Sequence, residues 1–227
     1  MSNETRYITF PIIIMKDALL DIRGCMAHAL HYSCYVYCLG ENGNRADRVK
    51  EASTYFGIDY SANAFNNGKL LYESIPERSP KTSISKKMVF EFYMEDKTVF
   101  EIVTFLAFAA IRSIIQKQGY SKISNQYLLS RMSGNSLKVE PIISSLLIYN
   151  NRYQLDKIKE ELQLNWGLKL YAQAMRGYYV SFRLELHELI EQAELRRTKS
   201  RLNKLKEDKK EAYRIAMNSI KGKQKIP

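Results

Sequence analysis

Basic and amide side chains recur at close spacing in three segments of the second half of this 227-residue chain. Lysine and arginine can neutralise phosphates, and arginine, asparagine and glutamine can also hydrogen-bond to the edges of DNA bases. One such side chain alone is more often simply solvated, so the elements that hold these segments decide whether they act together. The candidate DNA-binding residues are Lys122, Asn125, Gln126, Arg152, Gln154, Lys157, Lys169 and Arg176.

The charge of the chain is strongly segregated. Residues 1–111 carry 12 Lys and Arg against 13 Asp and Glu, residues 112–183 carry 11 against 4, and residues 184–227 carry 12 against 7. The whole formal charge of +11 therefore arises after Ile111. A phosphate-facing region beside a region that does not contact phosphate would show this distribution. The pattern predicts double-stranded DNA as the partner of the second half.

The sequence lacks the common catalytic motifs: it has no glycine-rich phosphate loop, nucleophile elbow or HExxH pair. Tyr178 and Tyr179 are explained better as strand residues than as covalent nucleophiles. Asp17 and Asp21 have no third carboxylate or lysine at a recognisable spacing. We therefore expect no enzymatic activity, and only a nuclease built from dispersed carboxylates stays open.

Three cysteines and two histidines lie in "CMAHALHYSCYVYC", residues 25–38. An odd number of cysteines within one helical stretch predicts reduced thiols rather than a disulfide framework. At about 100° per residue these side chains would point around the helix, and one helix cannot surround a tetrahedral metal ion. We expect no metal, no cofactor and no small-molecule ligand.

Two apolar runs are too short to serve as a signal sequence or a membrane span. Ile12-Ile13-Ile14 is followed closely by Lys16 and Asp17, and the run from Ile102 to Ile111 is bounded by charged residues. The sequence thus predicts no membrane association and a cytoplasmic protein.

Residues 1–80 are predicted to form an N-terminal, mostly helical domain. Helices 45–56 and 60–74, with Ala52 inside and Gly57 at the corner, could be a degenerate helix-turn-helix, although plain three-helix packing is the simpler interpretation. Two prolines and four serines in residues 74–87 indicate a boundary or linker. The other expected elements are a short strand or extended entry at "YITFPIII", residues 7–14, and a long helix at 17–38.

A second domain is predicted for residues 88–184, beginning with a strand or a lead-in segment at 88–97. Thr98-Val99-Phe100-Glu101 matches a capping box, so a buried helix should run from Val99 to about Lys117. Ser124 can then cap a short helix that begins at Asn125 and ends near Gly134.

An insert, residues 135–150, separates this short helix from the next one. Pro141 forbids one continuous helix through the insert, although a helix can begin at that residue. Residues 151–163 place Leu155, Ile158 and Leu162 on one face and leave the polar side chains outside. Two alternating runs in 168–184, joined near Gly177, predict a β-hairpin.

The order of these elements resembles a winged helix-turn-helix domain over residues 98–184. The stretch "RYQLDKIKEELQLNWGLKLYAQAMRGYYVSF" is similar to the recognition helix and wing of that superfamily, and the insert departs from its usual compact corner. The resemblance implies a mainly α fold with a small β-hairpin wing, an N-terminal helical domain and a basic C-terminal helix at 185–227.

The resemblance also implies roles for the candidate residues. Arg152, Gln154 and Lys157 would approach base edges or phosphates in the major groove, and Arg176 would reach a minor groove or the backbone. Lys122, Asn125 and Gln126, together with Ser121, would anchor phosphate near the positive amino terminus of the short helix, and Lys169 would also contact DNA.

Winged helices of this kind occur in transcription regulators and in plasmid or phage replication initiators. The sequence therefore predicts DNA binding in transcription regulation or in replication initiation of a mobile element, with a possible homodimer through the N-terminal domain. The alternative is a protein interaction module that uses the same fold without binding DNA. The tail, residues 185–227, could add phosphate affinity or be only a solvated helix.

Overall fold

Helices dominate the computed structural model, which describes residues 7–39, 45–57, 62–138, 140–172 and 177–223. The helices are α1 (Ile22–Leu39), α2 (Arg45–Phe56), α3 (Ala62–Ser74), α4 (Lys86–Met94), α5 (Val99–Ile115), α6 (Asn125–Met132), α7 (Arg152–Asn165) and α8 (Leu186–Lys223). The strands are β1 (Tyr7–Pro11), β2 (Lys81–Ser85), β3 (Tyr120–Ile123), β4 (Lys169–Ala172) and β5 (Tyr178–Ser181). The prediction of a mainly α fold with a small β-hairpin is confirmed.

The first strand pairs with residues that lie 70 to 78 positions later in the sequence. β1 pairs antiparallel with β2, from Tyr7 opposite Ser85 to Pro11 opposite Lys81. The interpretation of residues 74–87 as a linker is therefore wrong for their second half, where burial of Ile84 and pairing with β1 hold the backbone in a strand. The run that follows β1 forms a 3-10 helix, Ile12–Asp17, rather than continuing as strand.

Helices α1, α2 and α3 pack together behind this small sheet. Gly68 of α3 lies so close to the His31 carbonyl of α1 that a Cβ atom would clash with it. Ala52 of α2 is fully buried, as the sequence indicated. One continuous cluster of buried apolar residues extends from Ile8 to Val180, so the N-terminal helices and the second half of the chain share a core. The division into domains at residues 80 and 88 stays a prediction.

Helix α5 is the buried centre of the second half. The predicted capping box is present: the Thr98 N–H donates to Glu101 Oε2 at 2.8 Å, and the Glu101 N–H donates to Thr98 Oγ1 at 3.3 Å. The helix ends at Ile115, two residues before the predicted end, because Gln116 leaves the helical conformation with φ 48° and ψ −124°. Segment 86–94, before the capping box, is helix α4.

The three-stranded sheet has the order β3-β5-β4, with both pairs antiparallel. Neighbouring side chains alternate between its faces, so Tyr178 and Val180 point to the main core, whereas Tyr179 packs with Leu189 and Ala193 of α8. The hairpin therefore lies between the core and the first turns of α8.

The insert between α6 and α7 is anchored, and its described residues leave Arg152 at the start of α7 exposed. Buried Arg131 donates to the Ser136 carbonyl at 3.0 Å, and the Ile143 N–H donates to Ser133 Oγ at 3.1 Å. Its helical part is a 3-10 helix, Ser144–Tyr149, which begins after Pro141 and buries Leu146 and Tyr149. The side chain of Arg152 directly beyond it is 93% exposed.

Candidate nucleic-acid interface

A cleft of about 460 Å³ opens where α6, α7 and the β4–β5 hairpin meet. Asn125 contributes the first residue of α6, and residues 150–156 contribute the start of α7. Ala172, the last residue of β4, and Gly177, directly before β5, border it, and Tyr178 forms part of its wall. The cleft thus joins the elements that the sequence predicted to meet DNA.

The amino-terminal ends of two helices face this cleft. Ser124 caps α6, because its Oγ accepts from the Tyr127 N–H at 3.1 Å. Asn151 caps α7, because its Oδ1 accepts from the Gln154 N–H at 3.0 Å. A helix amino terminus carries a partial positive charge and leaves backbone N–H groups unpaired, so both ends favour an anion in the cleft.

Three charged side chains of α7 line the cleft as a chain of ion pairs. Asp156 lies between two cations, with Arg152 Nε at 3.4 Å and Lys159 Nζ at 3.1 Å from its carboxylate. The hydrogen bond from Lys159, supported by Arg152, lowers the pKa of Asp156. These three groups together carry one net positive charge. An incoming anion would compete with Asp156 for both cations.

Two polar atoms at the cleft have no hydrogen-bond partner among the described residues. They are the hydroxyl of Tyr178, a residue only 6% exposed, and Oδ1 of Asn125. Burial, and then the charge of Asp156, raises the pKa of Tyr178, so the phenol stays protonated and can donate. An amide such as Asn125 can present either its NH₂ or its oxygen after rotation. Both groups suit a ligand oxygen in the cleft.

The outer face of α7 beside the cleft is polar, aromatic and basic at one end. Leu155, Ile158 and Leu162 are buried, whereas Tyr153 is 65% exposed with Lys157 Nζ at 4.8 Å from its ring centroid. Residues 152–159 contain three cations and one carboxylate, and the next two residues are glutamates. The positive charge of this helix is thus concentrated at its amino-terminal half, next to the cleft.

No family model, curated protein or solved structure matches this chain. Functional inference therefore rests on the geometry of the chain itself. Among the described residues, no three His, Cys, Asp or Glu side chains are grouped as a metal site would require. In the same part of the chain, no helix has the length and apolarity to cross a membrane.

The candidate residues do not form one surface. Asn125 and Arg152 line the cleft together, and Gln126 and Lys157 are exposed nearby on α6 and α7. Gln154, on the same turn of α7, is half-buried. These five residues belong to two adjoining helix ends.

Two other candidates lie on the opposite face of the sheet. Lys122 pairs with Tyr179 in register, and its Nζ lies 5.8 Å from the centroid of that ring, on the side covered by α8. Lys169 Nζ lies 3.6 Å from Glu185, at the end of the sheet away from the cleft. Arg176 falls outside the described residues. The sequence therefore grouped side chains that the fold separates.

Sequence patterns missed four residues that the fold brings to this region: Tyr153, Asp156, Lys159 and Tyr178. Helical periodicity offered a signal for Asp156 and Lys159, which follow Arg152 at i+4 and i+7 and therefore share its side of α7. For Tyr178 the signal was weaker, because an alternating strand shows which face a tyrosine takes but not whether its hydroxyl finds a partner.

Proposed function

We propose that this protein is a non-enzymatic binder of duplex DNA that uses a winged-helix arrangement of α5, α6, α7 and the β3-β5-β4 sheet. One observation carries the proposal: the amino termini of α6 and α7 converge with the hairpin on a cleft that has excess positive charge and a tyrosine hydroxyl with no hydrogen-bond partner among the described residues. The chain order helix, strand, helix, helix, hairpin supports the winged-helix interpretation.

The proposed contacts follow from exposure and charge. The amino-terminal half of α7 would enter the major groove, where the exposed side chains of Arg152 and Lys157 would reach base edges or phosphates and Tyr153 offers an aromatic surface. A backbone phosphate at the groove edge would occupy the cleft and accept from Tyr178 and Lys159. The hairpin would lie against the neighbouring backbone or minor groove.

Regulation of transcription and replication initiation of a mobile element both fit a protein that binds one duplex site. We propose this class of role, in the cytoplasm, and the N-terminal helices could bring two copies together on DNA. These helices share the core with the DNA-facing half, so a second copy bound there would be held in a fixed relation to α7.

A second candidate function is a protein interaction module without DNA binding. It is favoured by large apolar side chains exposed at the two ends of α7: Leu147, 53% exposed, and Ile148, 68% exposed, precede its start, and Leu164, 73% exposed, lies in its last turn. Exposed apolar side chains that form a patch can mark a protein contact. Two results together would favour this module. The wild-type chain would show no affinity for DNA, and Leu147→Ser or Ile148→Ser would lose binding to a protein partner.

Fluorescence anisotropy of a labelled duplex, titrated with the full chain at several salt concentrations, tests the DNA proposal. We expect a Kd below about 100 μM and a linear fall of log affinity with log salt, because phosphate contacts release counterions. Absence of binding in this range, or binding independent of salt, would contradict it.

Charge variants locate the interaction. The double variant Arg152→Gln, Lys157→Gln should weaken binding by about tenfold or more, because charge-assisted contacts contribute roughly 1.5–3 kcal/mol each. The matched control is Arg78→Gln, Lys87→Gln, which removes two exposed cations outside the cleft. Equal weakening of DNA binding by both variants would show that net charge alone attracts DNA and that α7 makes no specific contact.

A further inference from the structure

A second and larger cleft, of about 830 Å³, lies at the opposite end of the three-stranded sheet. It forms where the β1–β2 sheet meets the carboxyl end of α5 and the residues that follow β5. It borders Phe182 and Arg183, beyond the Ser181 end of β5, whereas the α7 cleft borders the Tyr178 end of the same strand. We call it the junction cleft, and its lining shares no residue with the α7 cleft.

Four cations from separate parts of the chain line the junction cleft, and none of its described lining residues is acidic. The cations are Lys81, Arg112, Lys117 and Arg183. None of them has a carboxylate oxygen within 4.0 Å among the described residues, in contrast to the cations of the α7 cleft. Lys81 Nζ donates only weakly, to the Glu77 carbonyl at 3.3 Å.

Arg112 and Arg183 bring two like charges to one partly buried site in this cleft. The Arg112 side chain is half-buried, with the guanidinium carbon 5.5 Å from the Phe108 ring centroid. Burial lowers the pKa of Arg112, the nearby Tyr7 raises it, and the charge of Arg183 lowers it. Like charges held close together at a partly desolvated site destabilise the folded chain, and a bound anion would remove that cost.

Neutral donors and a strained residue complete the lining. Thr82 and Ser83 of β2 border the cleft, as do Gln116 and Gln118 after α5. Gln116 has φ 48° and ψ −124°, and among the described residues it is the non-glycine residue with positive φ. Backbone strain of this kind costs about 1–3 kcal/mol and is concentrated at binding and active sites.

We infer that the junction cleft binds a polyphosphate group. Two arginine forks match the geometry of phosphate oxygens, and four positive charges in so large a cleft exceed what one phosphate would neutralise. A nucleoside triphosphate and a nucleic-acid strand both carry this chemistry. The inference is independent of the proposed DNA site, because it uses other residues at the other end of the sheet.

Isothermal titration of the full chain with sodium tripolyphosphate tests the inference, with inorganic phosphate as the single-phosphate comparison. The variant Lys117→Gln, Arg183→Gln removes two exposed cations of the cleft and should weaken tripolyphosphate binding about tenfold or more. The control Arg201→Gln, Lys204→Gln removes the same charge from exposed positions on α8 and should weaken it less than about twofold. Thermal melting confirms that both variants fold.

The outcomes separate the interpretations. Equal weakening by the cleft variant and the α8 control, or equal affinity for phosphate and tripolyphosphate, would overturn the inference. If ATP displaces tripolyphosphate and a short duplex does not, the cleft binds free nucleotides. If the duplex displaces tripolyphosphate, the cleft binds a nucleic-acid backbone. Failure of the Arg152, Lys157 variant to change DNA binding would count against the proposed function and leave this inference intact.

Discussion

The hydroxyl of Tyr178 is buried at a polar cleft and has no protein partner among the described residues. Leaving a buried donor unpaired costs about 1–3 kcal/mol. The folded chain tolerates this cost while the ring packs in the core and carries Lys159 Nζ at 4.6 Å from its centroid. The hydroxyl is therefore available to a ligand, at the expense of stability.

Tyr178→Phe should affect stability and binding in opposite directions. Removing the unpaired hydroxyl should leave the free energy of unfolding unchanged or raise it by about 1 kcal/mol, while duplex affinity falls about tenfold or more. Thermal melting and anisotropy measure the two effects. Tyr179→Phe, on the other face of the same strand, is the control and should leave affinity unchanged. Unchanged affinity in Tyr178→Phe would show that the hydroxyl contacts no DNA.

Asp156→Asn should strengthen DNA binding several-fold. The change removes the carboxylate that occupies Arg152 and Lys159, so both cations become available to phosphate. Stability should change by less than about 1 kcal/mol, since the Asp156 side chain is half exposed and its ion pairs are screened. Anisotropy provides the measurement, with Glu160→Gln as the same charge change outside the cleft. An equal gain in affinity in both variants would show that the effect comes from net charge and not from the ion pairs of Asp156.

At the scale of elements, the sequence predicted best the structures that local interactions determine. The capping box at Thr98 and Glu101 fixed the start of α5, and alternation predicted β4 and β5. β2 was missed because "KTSIS" is short and polar, and its partner β1 is remote in sequence. The 3-10 helix of the insert was missed for a similar reason, since packing of Leu146 and Tyr149 determines where it forms.

Gly177 is required by the hairpin for two separate reasons. Its φ is 95°, and a Cβ atom would lie 2.5 Å from the Ile123 carbonyl oxygen of β3. Gly177→Ala should lower the free energy of unfolding by about 3 kcal/mol, from backbone strain and overpacking together. The matched control is Gly167→Ala, which has φ 74° but no atom within 4 Å of the added Cβ and should cost only about 1 kcal/mol. Chemical denaturation measures the free energy of unfolding of both variants. An equal loss in both would show that the close approach to Ile123 contributes nothing.

At the scale of the whole molecule, charge segregation predicted which half would carry the basic surfaces but not how they would be divided. The fold distributes most of the described cations of residues 112–183 among the α7 cleft, the junction cleft and the α8 side of the sheet. Net charge along a sequence cannot distinguish these surfaces, because strand alternation and helix packing decide the face on which each side chain lies. For this reason the fold brings only some of the eight candidate residues together.

The middle of helix α8, residues 195–215, supplies a further basic surface. Every side chain from Leu195 to Ile215 is exposed, and this stretch holds nine cations and three carboxylates. Deleting residues 198–227 should leave the melting temperature within about 2 °C, because exposed substitutions rarely exceed about 0.5 kcal/mol. Duplex affinity should fall with a shallower salt dependence. Complete loss of binding at low salt would instead place the DNA contact on the tail.

Amide NMR of the full chain, with and without a short duplex, locates the DNA contact. If DNA occupies the α7 cleft, the largest shift changes will fall on residues 125–127 and 152–159, where backbone N–H groups of two helix ends face the phosphate. Shift changes confined to α8, with those two segments unchanged at saturating duplex, would contradict the account.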